Sequence, residues 1–155
     1  MITKTLNASL IFYIIKLSET LLKNAQVICS REDITTQQWL ILLLLAKDPN
    51  MVFLQEHPQK KPLMASEIAT ALNVSRANIT NLLIILMEKE LIKQIEDEDD
   101  RRRKRLILTP KGQQIINKLE PQRNKHNENL FKHFSKDEKE TAMAFINKCL
   151  LIMPH

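Results

Sequence analysis

Apolar residues recur at helical spacing along much of the chain, and this pattern predicts most of its elements. From Leu6 to about Cys29 the apolar positions lie three or four residues apart, which is typical of a stripe on a long helix. The polar residues Arg31–Asp33 end that pattern. Thr35 and Gln38 then form a capping box, which predicts a second helix that is apolar on nearly all sides and therefore buried.

The segment from Lys47 to Leu63 lacks a helical period. It contains Pro49, Pro58 and Pro62, and only MVFLQ within it has the composition of a strand. We therefore predict a long loop that includes one short strand.

Capping residues predict two more helices in the C-terminal part. Thr109 is a suitable N-cap with Pro110 at the first helical position, and Pro121 is expected to kink or interrupt the helix that follows. Ser135 and Glu138 form another capping box, which begins the last predicted helix.

The stretch between these parts has the pattern of a helix-turn-helix, with helices predicted over 66–72 and 76–89. Ala69 supplies a small side chain where the helices cross, Asn73 tolerates a left-handed backbone in the turn, and Ser75 caps the second helix. Polar groups near the start of that helix can reach base edges and phosphates. The residues predicted to contact DNA here are Ser75, Arg76, Asn78, Thr80 and Asn81.

The densest charge run of the chain, EDEDDRRRKR, follows the second helix and spans Glu96–Arg105. The runs LIKQIE and KRLILT on either side have strand composition, so a β-hairpin with a charged tip is predicted. A hairpin after a helix-turn-helix makes a winged helix, whose basic residues can reach phosphates or the minor groove. Strand alternation leaves about three of the five bases for DNA, and we assign Arg101, Arg102 and Arg103. The alternative is a flexible loop of mixed charge.

Composition narrows the function classes. The net charge of +5 permits a nucleic-acid partner without requiring one. The single glycine, Gly112, excludes glycine-rich phosphate loops, and no motif pairs a nucleophile with a base, so neither an enzyme nor a bound cofactor or metal is expected. The two cysteines lie far apart, and the apolar runs are shorter than a membrane span. A cytoplasmic protein without a membrane partner is predicted.

These motifs together resemble the MarR family of bacterial transcription regulators. DRRRKRLILTPKG is similar to the family's wing and the helix after it, since Asp100, Arg102, Leu108, Thr109 and Gly112 have matching spacing. SRANITNLL is similar to its recognition helix, and TTQQWLIL to its second helix.

The resemblance covers almost the whole chain and implies a mainly α fold with a small β-wing. It also implies a homodimer on pseudo-palindromic double-stranded DNA, most often a repressor, in which Arg102 enters the minor groove and Asp100 braces it. The implied domains are an N-terminal dimerisation helix (1–30), a winged helix-turn-helix DNA-binding domain (34–109) and C-terminal dimerisation helices (110–155).

Several residues have more than one interpretation. Tyr13 and Trp39 could border a pocket for a small-molecule effector between the dimer helices and the winged helix, or simply pack in the core. Cys29 could sense oxidants or be a buried thiol.

The sequence departs from the family pattern at two places, and one alternative function is also compatible with it. Ile84 and Ile85 stand where the family is usually polar, and they could pack on the 47–63 segment or line a ligand pocket. Glu90 stands where the family usually has glycine, which predicts backbone strain if its φ is positive. The alternative function is a protein-interaction module whose basic wing meets an acidic partner.

Overall fold

The computed structural model describes residues 1–153 and is mainly helical, with one two-stranded antiparallel sheet. This confirms the predicted fold class. The chain forms two compact units, Met1–Glu120 and the part from Pro121 onward. The elements in chain order are α1 (Leu6–Cys29), a 3₁₀ turn (Ser30–Glu32), α2 (Thr36–Leu45), α3 (Val52–Glu56), α4 (Ala65–Leu72), α5 (Arg76–Glu88), β1 (Ile92–Glu96), β2 (Lys104–Leu108), α6 (Pro110–Phe131) and α7 (Lys136–Ile152).

The core of the first unit is built around α2. The predicted capping box starts this helix, because the Thr35 hydroxyl accepts from the Gln38 amide at 3.1 Å and the Gln38 side chain accepts from the Thr35 amide at 2.9 Å. Ile41, Leu42 and Leu44 are at most 1% exposed. Side chains from α4, α5, β1, β2 and α6 complete the same cluster, so the winged helix is assembled on α2.

Four helical segments end in the same hydrogen-bonded cap without a glycine. In each, the backbone turns left-handed at a residue whose N–H, with the next N–H, returns to carbonyls of the last turn, as in a Schellman motif. The left-handed residues are Asp33 (φ 55°), Lys47 (φ 59°), Asn73 (φ 53°) and Glu90 (φ 60°). Glu90 therefore has the positive φ on which the expected backbone strain depends.

Gly112 is needed for close approach rather than for a turn. A Cβ built on it would lie 2.2 Å from the carbonyl oxygen of Leu91 and 2.8 Å from Cδ1 of Leu108. The Thr109 hydroxyl caps the same turn by accepting from the Gly112 amide at 3.0 Å. The first turn of α6 can therefore lie directly against the backbone that joins α5 to β1.

One local prediction was wrong, and another holds only in part. Residues 52–56 form helix α3 rather than a strand. Asp48 accepts from the Asn50 amide at 2.9 Å and so turns the chain into that helix, where the backbone can bond to itself. Pro121 was expected to kink or interrupt α6; the helix runs unbroken from Pro110 to Phe131, so it is not interrupted, and the kink stays a prediction. The carbonyl that loses its partner belongs to Asn117, an exposed residue, where water can replace the lost bond.

Helix α1 keeps most of its apolar side chains in solvent. Only Cys29 of this helix is buried, whereas Leu17 and Tyr13 are 55% and 75% exposed. Helix α7, taken by itself, has no buried residue among its described positions. Its exposed apolar side chains include Met143, Phe145, Ile146, Leu150, Leu151 and Ile152.

Within residues 1–153, no single helix combines the length and apolar character needed to cross a membrane. Only α4 and α5 taken together meet that test, and their axes are bent by 112° at the break between them.

Candidate nucleic-acid interface

Helices α4 and α5 form the predicted helix-turn-helix. Their 112° bend lies within the range of about 90–120° that is usual for this motif. Asn73 takes the left-handed conformation in the turn, and Ala69 is buried where α4 approaches α5. The Ser75 hydroxyl caps α5 by accepting from the Asn78 amide at 3.2 Å. The residue types singled out in the sequence therefore have the local roles expected of them.

One side of α5 fixes the helix to the core. Ile79, Leu82, Leu83 and Leu86 are each at most 9% exposed, and Ile79 and Leu86 are almost completely buried. Their spacing of three and four places them in one stripe along the helix. The helix is thus held by apolar packing alone along its inner side.

The other side of α5 is open to solvent at its N-terminal end. The exposed residues at this end are Ala77 and the five that the sequence predicted, Ser75, Arg76, Asn78, Thr80 and Asn81. The Thr80 hydroxyl donates to the Arg76 carbonyl at 2.8 Å, which leaves its lone pairs free to accept. These side chains and the first N–H groups of the helix can bind base edges or phosphates.

Strands β1 and β2 form the predicted wing. They pair in antiparallel register from Ile92 opposite Leu108 to Glu96 opposite Lys104. The Asp97 amide donates to the Arg103 carbonyl at 3.0 Å, so the ladder extends one step beyond the strands. The tip is an ordered, hydrogen-bonded turn, which excludes the flexible-loop interpretation of the charge run.

The buried carboxylate of Asp97 organises this tip. Only 4% of Asp97 is exposed, and one of its oxygens accepts from the amides of Asp99 at 2.8 Å and Asp100 at 3.0 Å. Its other oxygen pairs with the guanidinium of Arg105. That guanidinium and the two amides hold the pKa of Asp97 well below its usual range. Asp97 is therefore ionised whenever the wing is folded at neutral pH.

The wing is also fastened to the segment before α4. The Arg105 guanidinium donates to the Pro62 carbonyl at 2.6 Å, and the Leu106 amide donates to the Leu63 carbonyl at 2.9 Å. Lys61 forms an ion pair with Asp99 at the tip. The end of the 47–63 segment therefore runs beside β2 and restrains the wing on one side.

Three arginines at the tip remain exposed. The side chains of Arg102 and Arg103 are 95% and 61% exposed, and Arg101 is exposed as well. Asp100 accepts from the Arg102 amide at 3.0 Å and lies 3.6 Å from its Nε and 3.9 Å from the Nε of Arg103. The arrangement leaves these cations oriented at the tip but still accessible to an anionic partner.

Three residues that hold the wing were not predicted from the sequence: Asp97, Arg105 and Lys61. Asp97 begins an Asp-x-Asp-Asp run, and an aspartate in such a run often accepts hydrogen bonds from backbone amides just after it. This turn signal could have predicted its role. The pairing of Arg105 with Pro62 spans 43 residues and carries no local signal. Two of the basic residues in the charge run therefore hold the wing, since Lys104 also pairs with Glu96 at 3.3 Å.

The candidate effector and redox residues lie in unlike surroundings. Trp39 is 6% exposed and belongs to the core, whereas Tyr13 is 75% exposed. The thiol of Cys29 is buried, and burial raises its pKa to about 11. A thiol of that kind reacts slowly with oxidants, which favours the buried-thiol interpretation.

For Ile84 and Ile85, packing on the 47–63 segment and lining of a ligand pocket both stay predictions. These two residues are 45% and 40% exposed, lie outside the core cluster, and do not line the cavity that adjoins the 47–63 segment. They extend the exposed side of α5 with apolar surface.

Known proteins share this architecture. Residues 32–103 match the model of the MarR family, which spans the start of α2 through the wing tip. The HTH-type transcriptional regulator FarR of Neisseria gonorrhoeae is 26% identical over 117 residues, covering 76% of this chain and 72% of FarR. The homoprotocatechuate degradative operon repressor of Escherichia coli is 25% identical over 114 residues, covering 74% of this chain and 69% of the repressor.

A solved structure agrees with these sequence matches. The crystal structure of the S. aureus MepR–DNA complex superposes with a TM-score of 0.74 at 25% identity, covering 90% of this chain and 92% of MepR. The part that matches the family model contains the helix-turn-helix, strand β1 and the wing tip described above. The winged helix of this chain therefore matches the MarR family of winged-helix proteins.

Proposed function

We propose that this protein is a DNA-binding transcription regulator that acts as a homodimer and represses the genes that it controls. The observation that carries the proposal is the pairing of an exposed, polar N-terminal side on α5 with three exposed arginines on an ordered wing. Related proteins are named HTH-type transcriptional regulators, and a similar structure is a MepR–DNA complex. Both support a DNA partner for this chain.

The two parts of the interface would contribute differently to binding. Arg76, Asn78, Thr80 and Asn81 would read bases in the major groove from α5. Arg102 would enter the minor groove, with Arg101 and Arg103 on phosphates and Asp100 holding the arginines in place. Phosphate contacts would supply most of the affinity and make it fall with salt.

A homodimer would cover the apolar surface of the terminal helices. Helix α1 exposes large apolar side chains on several sides, and α7 exposes its own set. Exposed apolar surface of this extent usually marks an interaction site. We assign dimerisation to residues 1–30 and 110–155, the last two of which lie outside the described part, and DNA binding to residues 34–109.

Repression and its release are finer steps of the proposal. A related protein is named an operon repressor, which supports repression as the default role. A small ligand would release the protein by changing the spacing of the two recognition helices relative to half-sites one helical turn apart.

The test is the salt dependence of DNA binding by an arginine variant. DNA fragments that the wild-type protein retains from its own genome would first be selected, and their affinity then measured over a series of salt concentrations. Arg102→Ala should weaken binding and reduce the slope of log affinity against log salt by about one unit.

Lys60→Ala provides the matched control, since it removes an exposed cation outside the predicted DNA contacts and outside the dimerisation segments. It should leave both affinity and slope at wild-type values. An unaltered slope for Arg102→Ala would refute its insertion into the minor groove. Failure of the wild type to retain any DNA would instead favour the protein-interaction module with an acidic partner.

A further inference from the structure

A cavity of about 510 Å³ lies behind the wing, away from the exposed side of the recognition helix. It is bordered by the end of α2, the 47–63 segment, strand β2 and the first turn of α6. Its lining residues are Leu44, Leu45, Ala46, Lys47, Leu54, Gln59, Lys61, Pro62, Leu63, Leu106, Ile107, Leu108, Thr109, Pro110 and Gln113. The volume falls within the range of about 300–1,000 Å³ that is usual for small-molecule sites.

Most of the lining residues are apolar, and none is aromatic. A second cavity of about 290 Å³ shares Lys47, Leu54 and Gln59 with the first and continues over Pro49 and Gln55. The two cavities therefore border the same stretch of the 47–63 segment. A lining without aromatic residues suits a flexible hydrocarbon chain better than a flat ring, because stacking partners for a ring are lacking.

The charged residues that line the cavity are positive. Lys47 and Lys61 both line it, and neither Asp nor Glu does. Lys47 is exposed, and among residues 1–153 the structure gives its side chain no ion pair. Lys61 is 43% exposed, and its partner, Asp99, lies at the wing tip. The cavity thus combines an apolar interior with two ammonium groups, which is complementary to an amphiphilic anion.

We propose that this cavity binds an amphiphilic carboxylate with an unbranched aliphatic chain, its head group paired with Lys47 and Lys61. The chain would lie along Leu54, Leu63 and Ile107. The Lys61 ammonium would then be shared between the ligand and Asp99, which weakens one of the contacts that fasten the wing to the 47–63 segment. This second consequence rests on the proposed DNA-binding function, whereas the binding site itself does not.

The first experiment measures binding to the full chain without DNA. Decanoate, below the concentration at which it forms micelles, should bind in isothermal titration calorimetry and raise the melting temperature. Acetate has the same head group without the chain and should not bind. Decyltrimethylammonium has a chain of equal length with a positive head group and should not bind either.

Variants then locate the site. Lys47→Gln combined with Lys61→Gln should weaken decanoate binding about tenfold or more, because two charge-assisted contacts are lost. Lys47→Arg with Lys61→Arg should retain it. Gln59→Trp should fill the space shared by the two cavities and block binding, and Gln59 lies outside the core cluster, so folding should survive.

Several results would overturn the proposal. Equal binding of decanoate and decyltrimethylammonium would mean non-specific adsorption to apolar surface. Wild-type binding by the double glutamine variant or by Gln59→Trp would place the ligand elsewhere. Absence of any decanoate binding would remove the site, and it would do so whether or not the protein binds DNA.

The last arm tests the link to the wing. Saturating decanoate should lower the DNA affinity of the wild type, and this effect should disappear in Asp99→Asn, in which the Lys61 ion pair is already lost. Bound decanoate without any change in DNA affinity would refute the link. A protein that binds decanoate but no DNA would refute the proposed function alone.

Discussion

The recognition helix and the wing belong to one candidate interface but are held in place by different forces. Helix α5 is fixed by Ile79, Leu82, Leu83 and Leu86, a continuous apolar stripe in the core. The wing tip is fixed by a buried carboxylate, its guanidinium partner and backbone hydrogen bonds. Apolar packing responds weakly to pH, whereas an ion pair depends on the protonation of its acid.

This difference gives each region its own weakness. Loss of packing under α5 removes support shared by the whole winged helix, since α2, α4, β1 and β2 contribute to the same core. Loss of the Asp97–Arg105 pair removes support that only the tip uses. The two regions can therefore be disabled separately, which allows their contributions to DNA binding to be measured apart.

The largest effect is expected from Leu86→Ala. Leu86 is fully buried, and truncation of a buried leucine typically costs about 2–5 kcal/mol of unfolding free energy. Urea denaturation should show a lower midpoint with an unchanged slope, and both DNA contacts should fail together as the domain unfolds. Ile84→Ala is the matched control on the same helix. Ile84 is 45% exposed, so its truncation should change stability by less than about 0.5 kcal/mol.

If the wing of Leu86→Ala kept its DNA contacts while α5 lost its own, the core under α5 would not support the whole winged helix. Such a result would mean that the hairpin is stable without the core beneath the recognition helix. A two-stranded hairpin alone is marginal at best in water, so we expect joint loss.

A smaller and more local effect is expected from Asp97→Asn. The substitution keeps the shape of the side chain but removes the charge that pairs with Arg105. Stability should fall by less than in Leu86→Ala, while DNA affinity should fall clearly because the arginines lose their fixed support. Glu98→Gln is the control, since Glu98 is exposed at the same tip and has no ion pair among the described residues. It should leave stability unchanged.

The difference in stability between the wild type and Asp97→Asn should depend on pH, which gives a sharper test. Because the pKa of Asp97 in the folded wing lies below its ordinary value of 3.8, its stabilisation is fully present above that value. It is lost as the pH falls through 3.8 towards the lower folded value. The stability gap between wild type and Asp97→Asn, measured by urea denaturation, should be constant near neutral pH and shrink below about pH 3.8. A gap that persists unchanged in acid would show that packing, rather than charge, supports the tip.

Features that depend on residues close together in the chain could be predicted from the sequence. The caps at Thr35, Ser75 and Ser135 depend on residues three positions apart, and all three form as predicted. The apolar side of α5 follows from helical spacing alone. The hairpin follows from two apolar runs around a charged one.

Interactions that depend on distant parts of the chain were not predictable in this way. Arg105 was expected to be one cation among five, and only the fold brings it to Asp97 and to Pro62. The short run 51–55 has strand composition, yet it pairs with neither described strand, and residues 52–56 form a helix. The direction of each arginine in the charge run depends on which acids the hairpin register brings close.

The smallest effect, and the only stabilising one, is expected from Glu90→Gly at the junction between α5 and β1. Glu90 has φ 60°, a conformation that costs a residue with a Cβ about 1 kcal/mol relative to glycine. Its only described ion pair is with exposed Lys111 at 3.7 Å and contributes little. The variant should therefore gain up to about 1 kcal/mol of unfolding free energy, measured by urea denaturation.

Glu90→Ala separates strain from charge, because alanine keeps the Cβ and loses the carboxylate. It should give no gain, whereas Asn73→Gly, at a position whose asparagine tolerates the left-handed region, should gain less than Glu90→Gly. If Glu90→Ala were as stabilising as Glu90→Gly, removal of charge would be the cause and the strain argument would fail.

Since the junction belongs neither to the apolar stripe nor to the Asp97 network, Glu90→Gly should raise stability equally at neutral and acidic pH. The acid sensitivity of the wing should then remain in the more stable protein, because relief of backbone strain leaves the protonation of Asp97 untouched.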